Sequence, residues 1–281
     1  MGSSSLKLAR LALYFLWTLL LMPVQVAGLV LGRRWTSTLP VFYHSWCCRI
    51  LGFRVSLIGR PTNRRPVLFA ANHISYADIT ILGSIIPASF VAKFEVASWP
   101  FFGWLAKLQR SVFVDRRMRN TATQRDAMSR RLAAGDALIL FPEGTSGDGN
   151  RVLPFKTALF GAAQQANGVP PVIVQPVSIA YTRLDGMPIG RLFRPFFAWY
   201  GAVELIPHIW SMVGLGTVEV VVEFHPPTFL LDCGSRKALA GYCYARIAGG
   251  VAGALFGRPQ PMPEPPPASA VLPRLAKGMA E

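Results

Sequence analysis

Val67-Leu68-Phe69-Ala70-Ala71-Asn72-His73-Ile74-Ser75-Tyr76-Ala77-Asp78 runs an apolar segment into a polar corner and then into a helix start. Val67–Ala71 reads as a strand. His73 precedes Asp78 by five positions. On one continuous helix, at about 100° per residue, that pair diverges by roughly 500° and cannot meet. The two side chains meet only if His73 stands before the helix and Asp78 in its first turn. Ser75 as an N-cap would allow this. Asp78 would then accept a hydrogen bond from one imidazole nitrogen, and the other would be free to take a proton from a hydroxyl. The same Ser75-to-Asp78 spacing is also a capping box, in which the carboxylate merely stabilises the helix start and His73 is an ordinary turn residue. The segment alone leaves both readings open.

Outward from this corner, short apolar runs alternate with helical stretches. Strands are predicted at Ser89–Ala92, Val112–Val114, Ala137–Phe141, Val172–Ala180 and Val218–Phe224. Helices are predicted at Asp78–Ile86, Phe94–Leu108 (disturbed by Pro100 and Gly103), Thr121–Ala134, Pro154–Asn167 and Ser235–Ala248. Such alternation argues an α/β domain, a mixed sheet flanked by helices, over residues 59–257. Residues 258–281 carry a proline-rich run that cannot bury a core and is expected to be disordered.

The first 58 residues differ in kind. Leu11–Gly32 holds no charged residue and is long enough to cross a bilayer as a helix, with Pro23 expected to kink or split it. Lys7, Arg10, Arg33 and Arg34 flank it evenly, so orientation stays open. A cleaved signal peptide is the rival reading. Leu39–Phe53 reads as a second, interfacial helix. Together they form an N-terminal membrane anchor. Composition agrees: 52% of the 281 residues are hydrophobic and the formal charge is +15, which implies an anionic partner. The apolar content favours a membrane with anionic lipids. No zinc-finger, RNP-like or basic-zipper pattern supports nucleic acid. The four cysteines, Cys47, Cys48, Cys233 and Cys243, form no C-x-x-C pair. A disulfide framework and a metal site are therefore not expected, and a reducing compartment is.

Two further segments carry chemistry. Phe141-Pro142-Glu143-Gly144-Thr145 follows the strand that ends near Leu140, where open α/β sheets place binding residues. Glu143 there is an acid at the edge of an apolar strand, costly without a partner. Its bland alternative is a tight turn with one solvated acid. Ser111-Val112-Phe113-Val114-Asp115-Arg116-Arg117 ends a strand in basic residues. Arg116 there is suited to a phosphate or carboxylate. The surrounding Arg110, Arg119, Arg125, Arg130 and Arg131 read as a solvated face.

Taken in order, Asn72-His73-x4-Asp78, Phe113-Val114-Asp115-Arg116, Phe141-Pro142-Glu143-Gly144-Thr145 and Val174-Gln175-Pro176-Val177 resemble the four blocks of the glycerolipid acyltransferases. The segment from Gln175 to His208 is also similar to the bacterial lyso-ornithine lipid acyltransferase branch. The resemblance implies the glycerolipid acyltransferase fold and a fatty acyl transfer from acyl-ACP or acyl-CoA to a lysolipid hydroxyl, without a cofactor. It implies His73 as general base, Asp78 as its orienting partner, and Arg116, Glu143, Gly144 and Thr145 around the acceptor. It implies an inner-membrane seat with the site facing the cytoplasm. The expected acceptor is 1-acyl-sn-glycerol-3-phosphate, with lyso-ornithine lipid as the alternative. A lipid or thioester hydrolase and a non-catalytic membrane adaptor remain as outer alternatives. One departure stands out: Arg110 occupies a position where the family often has Gly, which implies an altered acceptor pocket. His44, His208 and His225 lack metal-ligand spacing and are read as structural.

Overall fold

A computed structural model of the protein describes residues 3–114, 121–164 and 170–257. In chain order the elements are α1 (Ser4–Val30), α2 (Leu39–Leu51), β1 (Phe53–Ile58), β2 (Val67–Ala71), α3 (Ala77–Gly83), β3 (Ser89–Lys93), α4 (Phe102–Leu108), β4 (Val112–Val114), α5 (Thr121–Ala133), β5 (Ala137–Leu140), β6 (Ile173–Leu184), β7 (Met187–Pro188), α6 (Leu205–Met212), β8 (Val218–Phe224), β9 (Thr228–Phe229), α7 (Leu230–Cys233) and α8 (Arg236–Phe256). The proline-rich tail lies outside the described residues.

The strands form one mixed sheet in the order β1-β8-β6-β2-β5-β3-β4, with short β7 and β9 pairing to β6. β6, β2, β5, β3 and β4 run parallel, while β8 is antiparallel to β6 and carries β1 parallel to itself. β2 sits at the centre, which explains its unbroken apolar run: both faces are covered. Val67, Phe69 and Ala71 face the layer that holds Cys48 of α2 and Ile81 and Leu82 of α3. Leu68 and Ala70 face the layer of Leu132, Phe160, Leu239 and Cys243, from α5, a 3₁₀ segment and α8. Each central side chain is thereby removed from water, worth about 1.5–3 kcal/mol for a fully buried large aliphatic or phenyl group. α8 begins at Ser235, whose hydroxyl accepts from the Ala238 N–H. It is long and apolar enough to cross a membrane. Leu239, Cys243, Ile247 and Val251 instead bury one face, at a spacing of one turn, against the sheet.

Several expectations shift. Phe53–Ile58, read as part of the anchor, is the edge strand beside β8. Pro154–Asn167 gives a 3₁₀ turn at Thr157–Ala163 rather than an α-helix, and residues 165–169 lie outside the described residues. Phe94–Leu108 divides into a 3₁₀ turn at Phe94–Ser98 and α4, split at Pro100 as that residue's missing N–H dictates. Pro23 does not divide α1, which runs unbroken from Ser4 to Val30.

α1 lies along the α/β domain. Near its start the Arg10 guanidinium donates to the carbonyls of Val213, Leu215 and Gly216. Near its end Gln25 donates to the carbonyls of Thr36 and Leu108. Gly28 is where the chain folds back: an added Cβ would lie 2.4 Å from the Trp35 ring.

Candidate active site

Sheet register builds the site. Ala70 of β2 pairs with Leu140 of β5, so both strands end at the same level, and three residues on His73 stands beside Glu143. The His73 N–H donates to Glu143 Oε1 at 2.9 Å and the Leu153 N–H to Oε2 at 3.1 Å. On the other side Asn72 stitches the end of β2 to β6. Its amide donates to the Ile179 carbonyl at 3.0 Å and accepts from the Ile179 N–H at 2.8 Å. The His73 ring stacks on Phe141, centroids 4.1 Å apart. The carbonyls of the corner are taken as well: the Gly147 N–H donates to His73 and the Trp199 N–H to Ile74.

Asp78 is fully buried, and a buried carboxylate persists only with donors around it. Four surround it. Oδ2 accepts from His73 Nδ1 at 2.9 Å, the Ile74 N–H at 2.6 Å and the Ser75 N–H at 2.9 Å. Oδ1 accepts from the Tyr181 hydroxyl at 2.8 Å. Desolvation beside Asp78 pushes the Tyr181 phenol far above its ordinary range, so it remains a donor. Because Nδ1–H is committed to Asp78, the imidazole presents the Nε2 lone pair, for which the described residues supply no partner. The His73 side chain is 19% exposed. Ser75 does not act as the N-cap: its Oγ is buried without a hydrogen-bond partner, and Tyr76 precedes the first helical residue.

His73 lines a cavity of about 560 Å³. Its walls come from every layer of the anchor side, including Leu11 and Phe15 of α1, Tyr43 of α2, Leu105 of α4 and Ile209 of α6. The lining is chiefly apolar, and Lys93 is the one Lys, Arg, Asp or Glu among the described lining residues. A chamber of this size and character suits an alkyl chain. Beside the imidazole, Tyr76 bonds His208 Nδ1 at 3.0 Å, and His208 Nε2 lies 3.1 Å from the Phe196 carbonyl. The carbonyl fixes the proton on Nε2, so the Tyr76 hydroxyl donates to Nδ1. Burial lowers the His208 pKa, keeping the ring neutral.

His73, Asp78 and Glu143 are thus brought together, and Gly144 and Thr145 line the same cavity. Gly144 has φ 75°, a conformation that favours glycine. Glu143 gives both oxygens to backbone N–H groups and is absent from the cavity wall; burial raises its pKa to about 8 against the pull of those donors. Arg116 lies outside the described residues. Arg110 has φ 58°, a left-handed conformation that favours glycine. Its side chain reaches Asp136 at 3.8 Å and does not line the cavity. Arg131, read as solvated, donates to Asp136, to the Arg110 carbonyl and to Ser89 Oγ. The Ile74 and Ser75 N–H groups are taken by Asp78. Tyr181 and Trp199 were not singled out from the sequence. Tyr181 had one signal, its place in the buried run of β6, and Trp199 had none.

Residues 54–180 match the acyltransferase family. The chain is 47% identical over 248 residues to the lyso-ornithine lipid O-acyltransferase of Brucella abortus, covering 87% of this chain and 93% of that one. It is 44% identical over 265 residues to the lyso-ornithine lipid O-acyltransferase of Rhizobium meliloti, covering 91% and 90%. The fold matches the crystal structure of the 1-acyl-sn-glycerophosphate acyltransferase of Thermotoga maritima with a TM-score of 0.58 at 25% identity, over 87% of this chain and 96% of that one. A likeness that runs nearly end to end and includes the segment carrying both His73 and Glu143 is no shared fragment: the chain belongs to the acyltransferase family, among the enzymes that acylate lysolipids.

Proposed function

We propose that this protein moves a fatty acyl group from a thioester donor, acyl-ACP or acyl-CoA, to the hydroxyl of lyso-ornithine lipid. The observation that carries the chemistry is the His73–Asp78 pair, with an unoccupied Nε2 at the wall of an apolar chamber. His73 Nε2 takes the proton of the acceptor hydroxyl. The oxygen attacks the thioester carbonyl, the C–S bond breaks, and the thiol leaves with the proton returned by the imidazolium. Asp78 holds the ring and stabilises its charged form. Thr145 and Ser146 line the same cavity, and their backbone N–H groups, which bond to no described residue, are the donors proposed for the developing oxyanion.

The expected acceptor was 1-acyl-sn-glycerol-3-phosphate. The relatives favour the other one, since 47% and 44% identity link the chain to lyso-ornithine lipid enzymes and 25% to the glycerophosphate enzyme of known structure. Lyso-ornithine lipid carries a carboxylate, for which Lys93 on the cavity wall and Arg116 are the proposed contacts. Glu143 acts as a strut for the His73 backbone. The anchor helices hold the site at the inner face of a bacterial membrane, where a lysolipid reaches it directly from the bilayer.

The test is a vesicle assay with labelled acyl-ACP or acyl-CoA and each acceptor in turn. Ornithine lipid is expected as the faster product, and His73→Ala is expected to lower its formation by at least about 10²-fold. Faster formation of phosphatidic acid would overturn the acceptor. Release of free fatty acid at the same rate without acceptor would overturn the transferase chemistry.

A further inference from the structure

α6 carries no charged residue, and its polar side chains are His208 and Ser211, on one face of Leu205-Ile206-Pro207-His208-Ile209-Trp210-Ser211-Met212. The apolar remainder of such a helix is normally packed against the protein. Here only Met212 is buried, while Ile206 is 77% exposed. The segment that leads to α6 adds Leu192 at 89% and Phe193 at 70% exposure, with Val203 and Trp210 also open to solvent. Large apolar side chains grouped in this way mark a contact surface.

What covers the surface is argued from its neighbours. α6 adjoins α1, whose length and hydropathy suffice to cross a membrane. Lys7 Nζ of α1 lies 5.1 Å from the Trp210 ring, and Arg10 binds the carbonyls just after α6. The exposed apolar face of α1 and that of α6 are therefore adjoining surfaces. Ile206 of α6 and Phe15 of α1 both line the His73 cavity and are both exposed, so its wall includes surface residues of both helices.

We propose that α6 and the residues from Leu192 to Val203 form a second membrane-seated lip opposite α1, and that the acceptor's chain slides from the bilayer into the His73 chamber between the two. The occupant of this face is a phospholipid bilayer. The portal rests on the lysolipid reading above; the membrane seat of the lip is measured without turnover.

The test uses the full chain in vesicles of phosphatidylcholine and phosphatidylglycerol. Cys47, Cys48 and Cys243 are buried and Cys233 is partly so, so Cys233→Ser gives a background for a nitroxide at Phe193→Cys or Ile206→Cys. In vesicles the labels are expected to collide with oxygen and to be shielded from a water-soluble nickel chelate. Free access of the chelate overturns the lip, and so does dipolar broadening between labels on two chains, which would make this face a contact between copies. For the portal, Leu192→Glu and Phe193→Glu, both outside the cavity lining, are expected to lower the rate on a bilayer-borne acceptor by about tenfold or more, the size of a ~1.4 kcal/mol effect. They are expected to leave the rate on a water-soluble short-chain acceptor unchanged. Equal rates on the bilayer-borne acceptor, or equal losses on both, overturn the portal. If the unaltered enzyme acylates no lysolipid, the function reading fails while the nickel result still decides the lip.

Discussion

Tyr181 is 103 residues from Asp78 in sequence and donates to it at 2.8 Å. Replacing it by phenylalanine leaves Oδ1 without its donor. The carboxylate is then held by three donors instead of four, and the imidazole it orients is less firmly fixed. For Tyr181→Phe, kcat is expected to fall roughly fivefold, the equivalent of about 1 kcal/mol, with KM little changed. An unchanged kcat, or a KM that rises in step with the loss, would overturn this positioning role. At the corner itself, Asp78 does more than the capping reading allows and Ser75 does less, since the Ser75 hydroxyl caps nothing. Asp78 accepts from the Ser75 N–H, as a capping carboxylate does, and from His73 with the same oxygen. Local spacing made His73, Asp78 and Glu143 legible. Tyr181 was not, because only the pairing of β2 with β6 brings it near.

Among the elements, the clasp between α1 and the segment after α6 is the most exposed to test. Arg10→Met keeps the aliphatic stem and removes three hydrogen bonds to carbonyls. Charged hydrogen bonds contribute about 1.5–3 kcal/mol each and are not additive, so a total loss of about 2–4 kcal/mol is expected, read as a drop of several degrees in the thermal unfolding midpoint in detergent. An unchanged midpoint would show that the clasp is incidental. Strands β2 to β6 and β8 were legible as short apolar runs between turn residues. β1 was hidden because Phe53-Arg54-Val55-Ser56-Leu57-Ile58 follows directly on the apolar helix α2, and the two merge when read by hydropathy. The 3₁₀ turn at Thr157–Ala163 escaped because helical composition does not distinguish an i+3 from an i+4 ladder.

At the level of the whole molecule, a buried proton ties stability to pH. Burial raises the Glu143 pKa to about 8 from an ordinary 4.5. Below the ordinary value both the folded and unfolded chains hold the proton. Between the two values the folded chain keeps a proton that the unfolded chain has released, so stability falls as pH rises through this window. Denaturant titrations from pH 5 to 8 are expected to show this decline in the natural protein and a flatter one in Glu143→Gln. Parallel slopes would show that Glu143 is ionised throughout.

The cavity was the least legible feature, since its walls come from α1, α2, α4, α6 and the loop after β5. That shared construction has a practical consequence. A preparation trimmed of its first thirty residues to gain solubility would be an open half-shell: His73 would keep Asp78, but Leu11, Phe15 and Met22 would be gone from the space where an alkyl chain must lie. The leading helix is then as much a part of the reaction vessel as the sheet, and the two have to be purified, stored and assayed together.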